Sequence, residues 1–319
     1  MFKVVCVGAF HRKGIKLLES RPDLVTYEVL TDLSPENVAR GVAGADAVVV
    51  RTTPLPRETL ERADRLRIVS RHGVGTDNVD VAYLSSRKIP MAIAIDSNVG
   101  SVAEHTLMML LALAKDAMAG DRATRSGDFA WRTASDVAGK SALIMGFGRI
   151  GQRVGALCRA LGLRVAAFDP YMERSPVEGV EMVKDFRAIL PETDFLCLHL
   201  PSTPETRDLI GAGELALLKR GAFVLNCARG GIVDEDVLCD ALESGHLGGA
   251  GLDVFAKEPP DTAHRLFRQE KVLLSPHNAA LTEECAIRMA TQAVQNVLDC
   301  LDGKLQPRVV MNRREIGMA

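Results

Sequence analysis

The chain has 319 residues, 47% hydrophobic and 25% charged, with a formal net charge of −2. That length exceeds one ordinary core and predicts two domains, while the near-neutral balance argues against an electrostatic nucleic-acid or membrane-surface binder. The seven cysteines stand singly, with no CxxC pair, which fits a reducing compartment better than a disulfide framework. Cys6, Cys197 and Cys227 fall in apolar runs and read as small buried hydrophobes.

In chain order, "MFKVVCVGAF" opens as a first strand (3–7); it lacks the small-residue cleavage site of a signal peptide. Short apolar runs at 26–30, 46–50, 67–70 and 90–94 predict further strands. A helix is expected over 57–65, and a glycine loop, "RHGVGTDNVD" (71–80), follows the fourth run. "NVGSVAEHTLMMLLALAKD" (98–116) predicts a long helix with Ser101 and Glu104 as a capping box. It is apolar around nearly its whole circumference, so it must be buried in its own lobe or against a second subunit. Its apolar stretch is far below the ~20 residues that span a bilayer, so a soluble, cytoplasmic protein is expected.

Strands follow at 141–145, 164–168, 195–200, 222–226, 250–254 and 272–275, with crossover helices over 149–161 and 233–243. An amphipathic segment, 287–304, could carry the chain back to the first lobe. This alternation predicts parallel βαβ units and an α/β fold with helices on both sheet faces. "ADAVVVRTTPLPRETL" (45–60) also resembles "TDFLCLHLPSTPETRDLI" (193–210), and each is followed by another strand and a glycine loop. Two related parallel-sheet lobes would produce such an echo.

The strongest chemical signal is "KSALIMGFGRIGQRVGALCRALGLRVAAFDP" (140–170). A strand runs into Gly146, Gly148 and Gly151 spaced as GxGxxG, and a helix follows. The first glycine permits a tight turn, the second lets backbone approach a pyrophosphate, and the third lets helix and strand pack closely. Asp169 ends the next strand, placed to accept from the adenosine ribose hydroxyls and to repel a 2′-phosphate. NAD is therefore expected over NADP, with Arg174 the one basic side chain near enough in sequence to offset that repulsion.

Ligands of open parallel sheets bind at the carboxyl ends of the strands. Leu200, Pro201, Cys227, Ala228, Arg229, Asp253 and His277 thereby become candidates. Asp253, inside an apolar run, must meet a donor, and the nicotinamide carboxamide would serve. Arg229, beside Gly230 and Gly231, could hold a carboxylate in fork geometry. His277 could exchange the alcohol proton, and Glu258 bonded to the imidazole would fix its tautomer and support its charged form. His199 reads as core or wall, and His72 could touch substrate.

These residues sit in motifs that occur in one order: "RHGVGTDNVD", "SVAEHTL", "GFGRIG", "LPSTPETRDLI", "NCARGGIVDEDVL", "GLDVFAKEPP" and "SPHNAA". Over essentially its whole length the chain resembles the D-isomer-specific 2-hydroxyacid dehydrogenases, nearest to the phosphoglycerate dehydrogenase and hydroxypyruvate reductase branch. The resemblance implies a Rossmann NAD-binding domain, 99–288, inserted into a flavodoxin-like substrate domain, 1–98 and 289–319. It implies a catalytic trio of Arg229, Glu258 and His277. Cofactor contacts would come from Val74, the glycine turn with Arg149 and Ile150, Asp169, Leu200, Pro201, Thr206, Cys227, Ala228, Arg229, Asp253, His277, Ala279 and Ala280. Substrate would meet Arg51, Val74, Gly75, Arg229 and His277. The expected partners are a small anionic 2-hydroxy or 2-oxo acid and a second copy of the chain, docked through the segment around 98–130. Asn278 departs from relatives that carry a small apolar residue there. The chain ends without room for the C-terminal regulatory domain of longer phosphoglycerate dehydrogenases, so feedback through one is not expected.

The implied reaction interconverts a D-2-hydroxy acid of the 3-phosphoglycerate, hydroxypyruvate or glyoxylate type with its 2-oxo acid. Two other readings use the same fold: an NAD-sensing, corepressor-like binding protein, and a formate-dehydrogenase type. In the latter a neutral amide replaces the Glu partner, so Glu258 argues against it.

Overall fold

The computed structural model describes residues 1–318. They form two compact units, Met1–Asn98 with the chain from Leu281 onward, and Val99–Ala280.

The first unit alternates β1 (Phe2–Val7), α1 (Arg12–Glu19), β2 (Val25–Leu30), α2 (Pro35–Val42), β3 (Ala47–Val50), α3 (Arg57–Leu60), β4 (Ile68–Arg71), α4 (Val81–Ser86) and β5 (Met91–Ile93). Its five strands are parallel in the order β2-β1-β3-β4-β5, the flavodoxin-like winding. The central strand shows why both faces are covered. Val48 and Val50 pack into one apolar cluster, whereas Ala47 and Val49 pack into the other. All four are fully buried, and burying each valine is worth about 1.5–3 kcal/mol.

The second unit runs α5 (Val99–Ala114), α6 (Ala117–Arg125), β6 (Ser141–Met145), α7 (Arg149–Ala160), β7 (Arg164–Phe168), β8 (Val180–Met182), β9 (Phe195–Leu198), α8 (Ala212–Leu217), β10 (Phe223–Asn226), α9 (Glu235–Glu243), β11 (Gly249–Leu252) and β12 (Val272–Leu274). Its seven strands are also parallel, ordered β12-β11-β10-β9-β6-β7-β8. Winding proceeds outward from β6 to β7 and β8, then restarts beside β6 at β9. This is the Rossmann arrangement, and it puts the topological switch point between β6 and β9. The last helix, α10 (Glu283–Leu301), belongs to the first unit, where Asn296 Nδ2 donates to Ile93 O at 3.0 Å.

The elements differ from the sequence expectations in instructive places. The helix expected from 98 does not start at a Ser101–Glu104 capping box; it begins at Val99 and carries Ser101 buried within its first turn. Residues 281–288, expected with the second domain, cluster with the first because α10 is continuous from Glu283, capped by Thr282 Oγ1 accepting from Cys285 N. The helix expected over 57–65 ends at Leu60. Strand β8 leaves no apolar period in the sequence, since it is three residues long and only Val180 of it is buried. After β9 the chain turns over residues 204–208, and the next helix starts at Ala212.

α5 lies close on its sheet because β11 is built from small residues. A Cβ on Gly251 would come 3.1 Å from Met109 Sδ, and one on Gly249 would come 3.3 Å from Leu113 Cδ2. That proximity explains a helix with buried residues on most of its faces.

Candidate active site

Because every strand of the second unit is parallel, all its carboxyl ends share one edge. The turn after β6 is shaped by backbone contacts that admit no side chain. Gly146 has φ +84°, and a Cβ there would stand 2.5 Å from His199 O. A Cβ on Gly151 would stand 2.1 Å from Gly146 O, whereas one on Gly148 would meet nothing within 4 Å. The turn is thus packed tightly behind and open at Gly148, at the start of α7. The first free N–H groups and the positive end of the helix dipole are presented there. Gln152 Nε2 donates to Phe147 O at 2.8 Å and braces the turn from within the helix.

Asp169 follows β7 directly. Its carboxylate accepts from Phe147 N at 2.9 Å and from Tyr171 N at 3.0 Å, one bond to each oxygen. Each oxygen keeps acceptor capacity for a hydroxyl. Beyond β9, Leu200 is buried. Thr206 Oγ1 donates to Pro201 O at 2.7 Å and accepts from Thr203 N at 2.8 Å, so its hydroxyl fastens the loop it belongs to. His199 is only partly buried as a residue, yet both ring nitrogens are inaccessible and unpartnered. Burial pushes its imidazole down to about 4.

After β10, the side chain of Asn226 organises the turn. Asn226, 2% exposed, accepts from Ala228 N at 3.0 Å and donates to Arg229 O at 2.9 Å. The polar residue in an apolar strand was the available signal, because such a group must find partners. Arg229 Nη1 donates to Ala228 O at 2.7 Å. Burial pushes the Cys227 thiol up to about 12, which keeps it neutral as an apolar wall. Gly230 allows this turn to touch the next one, since a Cβ there would fall 1.7 Å from Phe255 O.

Glu258 and His277, separate in sequence, meet. His277 Nδ1 lies 2.7 Å from Glu258 Oε2, and Glu258 Oε1 accepts from Phe255 N at 3.1 Å. A carboxylate only accepts, so Nδ1 carries its proton toward Glu258 and Nε2 is the nitrogen left for exchange. His277 has φ 52°, a left-handed conformation that a histidine adopts only when its surroundings impose it. The constraint is visible: His277 N donates to Asp253 O at 2.7 Å. A cavity of about 350 Å³ opens beside the pair, walled by Phe255, Phe267, Leu274 and the prolines 259, 260 and 276.

Asp253, 1% exposed, lies just past β11. Within the chain it already meets three donors. Oδ1 accepts from Ser275 Oγ at 2.5 Å and Asn278 N at 2.9 Å, and Oδ2 accepts from Ala279 N at 3.0 Å. Its charge therefore ties down the loop that carries His277, a role the sequence did not reveal.

Arg51, Val74 and Gly75 lie in the first unit, after β3 and β4. Asn78 Nδ2 donates to Thr53 O at 2.8 Å and so joins the loops that carry them. His72 is buried against Phe10, with ring centroids 5.1 Å apart. Desolvation and then the charge of Arg51 push it down to about 4.

The glycine turn, its open helix terminus and the Asp169 oxygens fit a dinucleotide, and comparison with known proteins agrees. Residues 107–279 match the family model "D-isomer specific 2-hydroxyacid dehydrogenase, NAD binding domain". The chain is 35% identical over 315 residues to a D-3-phosphoglycerate dehydrogenase of Methanocaldococcus jannaschii, covering 97% of this chain and 59% of that protein. The chain thus spans little more than half the length of this relative. A solved structure from Thermus thermophilus superposes with a TM-score of 0.88 at 31% identity, covering 97% of this chain and 99% of the other. D-lactate dehydrogenase from Aquifex aeolicus, complexed with NAD and lactic acid, gives 0.85 at 26% identity, covering 97% and 98%. The chain belongs to the D-isomer specific 2-hydroxyacid dehydrogenase family, and its second unit is that family's NAD-binding domain.

Proposed function

We propose that the protein interconverts a small D-2-hydroxy acid and its 2-oxo acid, with His277 as acid/base, Glu258 as its partner and Arg229 as the substrate-orienting cation. The observation that carries this reading is the 2.7 Å contact between His277 Nδ1 and Glu258 Oε2 on the edge that also holds the glycine turn. It sets one tautomer, directs the exchangeable proton to Nε2, and supports the imidazolium formed when that nitrogen takes the alcohol proton. Gly146, Gly148, Arg149, Ile150, Gly151 and Asp169 would hold the adenosine and pyrophosphate half of NAD. Leu200, Pro201, Cys227, Ala228, Ala279 and Ala280 would wall the other half. When bound, NAD supplies the acceptor or donor of hydride. Val74, Gly75 and Arg51 are assigned to the substrate carboxylate and its tail. The carboxylate of Glu258 favours this chemistry over formate oxidation, which needs no proton transfer.

A 3-phosphoglycerate-type substrate is supported by the name of the Methanocaldococcus relative and by Arg51 and Arg71 standing at the ends of β3 and β4. A homodimer is supported by the large apolar side chains exposed along 108–131: Met108, Met118, Phe129 and Trp131. The experiment is a screen of NADH and NADPH oxidation against phosphohydroxypyruvate, hydroxypyruvate, glyoxylate, pyruvate and bulkier 2-oxo acids. Turnover with at least one of them, faster with NADH because of the Asp169 charge, is expected. NAD binding without any turnover would instead mark a cofactor-sensing protein.

A further inference from the structure

α5 contributes one ionisable side chain to the carboxyl edge of the sheet. His105, on its second turn, places Nε2 2.9 Å from Ser275 Oγ, and that hydroxyl is 2.5 Å from Asp253 Oδ1. His105 Nε2 is itself 3.7 Å from the same carboxylate oxygen. The proton positions follow from donor counting. Asp253 accepts only, so the single hydroxyl proton of Ser275 points to Oδ1, and the lone pair facing His105 must accept. His105 therefore carries its proton on Nε2. The result is a directed chain, His105 to Ser275 to Asp253, that ends on the carboxylate gripping Asn278 N and Ala279 N.

We propose that His105 is a positioning residue for His277, acting through Ser275 and Asp253 to hold the 275–279 loop in the conformation that presents the imidazole. Ser275 opens that loop, and His277 sits in its middle with φ 52°. The backbone of His277 hangs on two members of that chain, its N–H donating to Asp253 O at 2.7 Å and to Ser275 O at 3.1 Å. Without His105, the Ser275 hydroxyl keeps one bond instead of two and is free to turn. Asp253 then loses its fixed donor, and a strained residue loses part of what over-determines it. Misplacement of a reacting group by an ångström can cost about 100-fold in rate; a loosened rather than broken loop should cost about tenfold. This inference rests on the assignment of His277 as acid/base.

The test compares His105→Ala, His105→Gln, Ser275→Ala, the double variant His105→Ala/Ser275→Ala and His277→Ala in reduction of the best 2-oxo acid. Hydrogen exchange of the 275–280 segment is followed in parallel. His105→Ala and Ser275→Ala should each lower kcat about tenfold, leave the 2-oxo acid KM within about twofold, and speed exchange of the segment. The double variant should be no worse than Ser275→Ala alone, because both cut one chain. Glutamine can donate from its amide at the Nε2 position, so His105→Gln should recover most of kcat and of the protection. Should His105→Ala not fold, Ser275→Ala and His105→Gln decide between the outcomes. Wild-type kcat in His105→Ala or Ser275→Ala, or independent losses that multiply in the double variant, would overturn the positioning role. If His277→Ala itself keeps near-wild-type kcat, the acid/base assignment falls instead.

Discussion

At the residue scale, three carboxylates on one edge divide the labour by what they touch. Asp169 spends part of its acceptor capacity on the glycine turn, Asp253 spends three bonds on the His277 loop, and Glu258 faces His277. Asp253→Ala would strand a hydroxyl and two backbone N–H groups, so it should cost about 2–4 kcal/mol in urea denaturation and lose activity with it. Two histidines with buried ring nitrogens make a separate prediction. His72 and His199 are both pushed to about 4 in the folded chain, whereas an unfolded imidazole titrates near 6.5. The unfolded chain thus binds more protons between those values. The stability is complete above about pH 6.5 and is lost as pH falls toward about 4, by at most about 3 kcal/mol per histidine. His199→Gln should flatten the dependence of unfolding free energy measured at pH 7.5 and pH 5; an unchanged slope would mean that His199 is protonated when folded. The meeting of Glu258 and His277 was legible in the sequence because each follows an apolar run downstream of the glycine fingerprint. His105 and Ser275 were not, since their meaning lies in a contact across 170 positions.

At the element scale, the repeat seen in the sequence has a structural counterpart. β3 and β9 each lie beside the first strand of their sheets, β1 and β6. Each is preceded by an aspartate that accepts from that first strand: Lys3 N to Asp46 Oδ2 at 2.8 Å, and Ser141 N to Asp194 Oδ2 at 3.0 Å. Both aspartates also pair with a cation, Arg65 and Lys219. The loop after each strand makes one parallel bridge to the loop after the next, Leu55 with Val79 and Ile210 with Val233. Strand order and helix crossovers could be read from apolar period because both sheets are buried on two faces. Where elements end could not, since α3 and α10 stop and start by local capping and turn geometry. Glycine positions carry the sharpest element-scale prediction. Gly230→Ala would drive a methyl group into Phe255 O, 1.7 Å away, and force apart the turns leading to Arg229 and Glu258. A loss of at least about 2 kcal/mol in unfolding free energy is expected, together with a fall in kcat. Gly148→Ala, with nothing within 4 Å, should keep its stability and lose NADH affinity in a fluorescence titration.

At the scale of the whole molecule, the two units keep separate cores and distinct strand orders. Among the described residues no helix is long and apolar enough to cross a membrane. The apolar side chains exposed between Met108 and Trp131 predict a dimer mass in light scattering, and Trp131→Glu with Phe129→Glu should shift it toward the monomer. The measurement that bears most directly on the proposed chemistry is the steady-state kcat of His277→Ala in NADH-dependent reduction of the preferred 2-oxo acid, taken with its unfolding midpoint. The expected result is a fall in kcat of at least about 100-fold with an unchanged midpoint, the loss of one proton-transfer group from an otherwise intact fold. Turnover within a few-fold of the unsubstituted protein would contradict it.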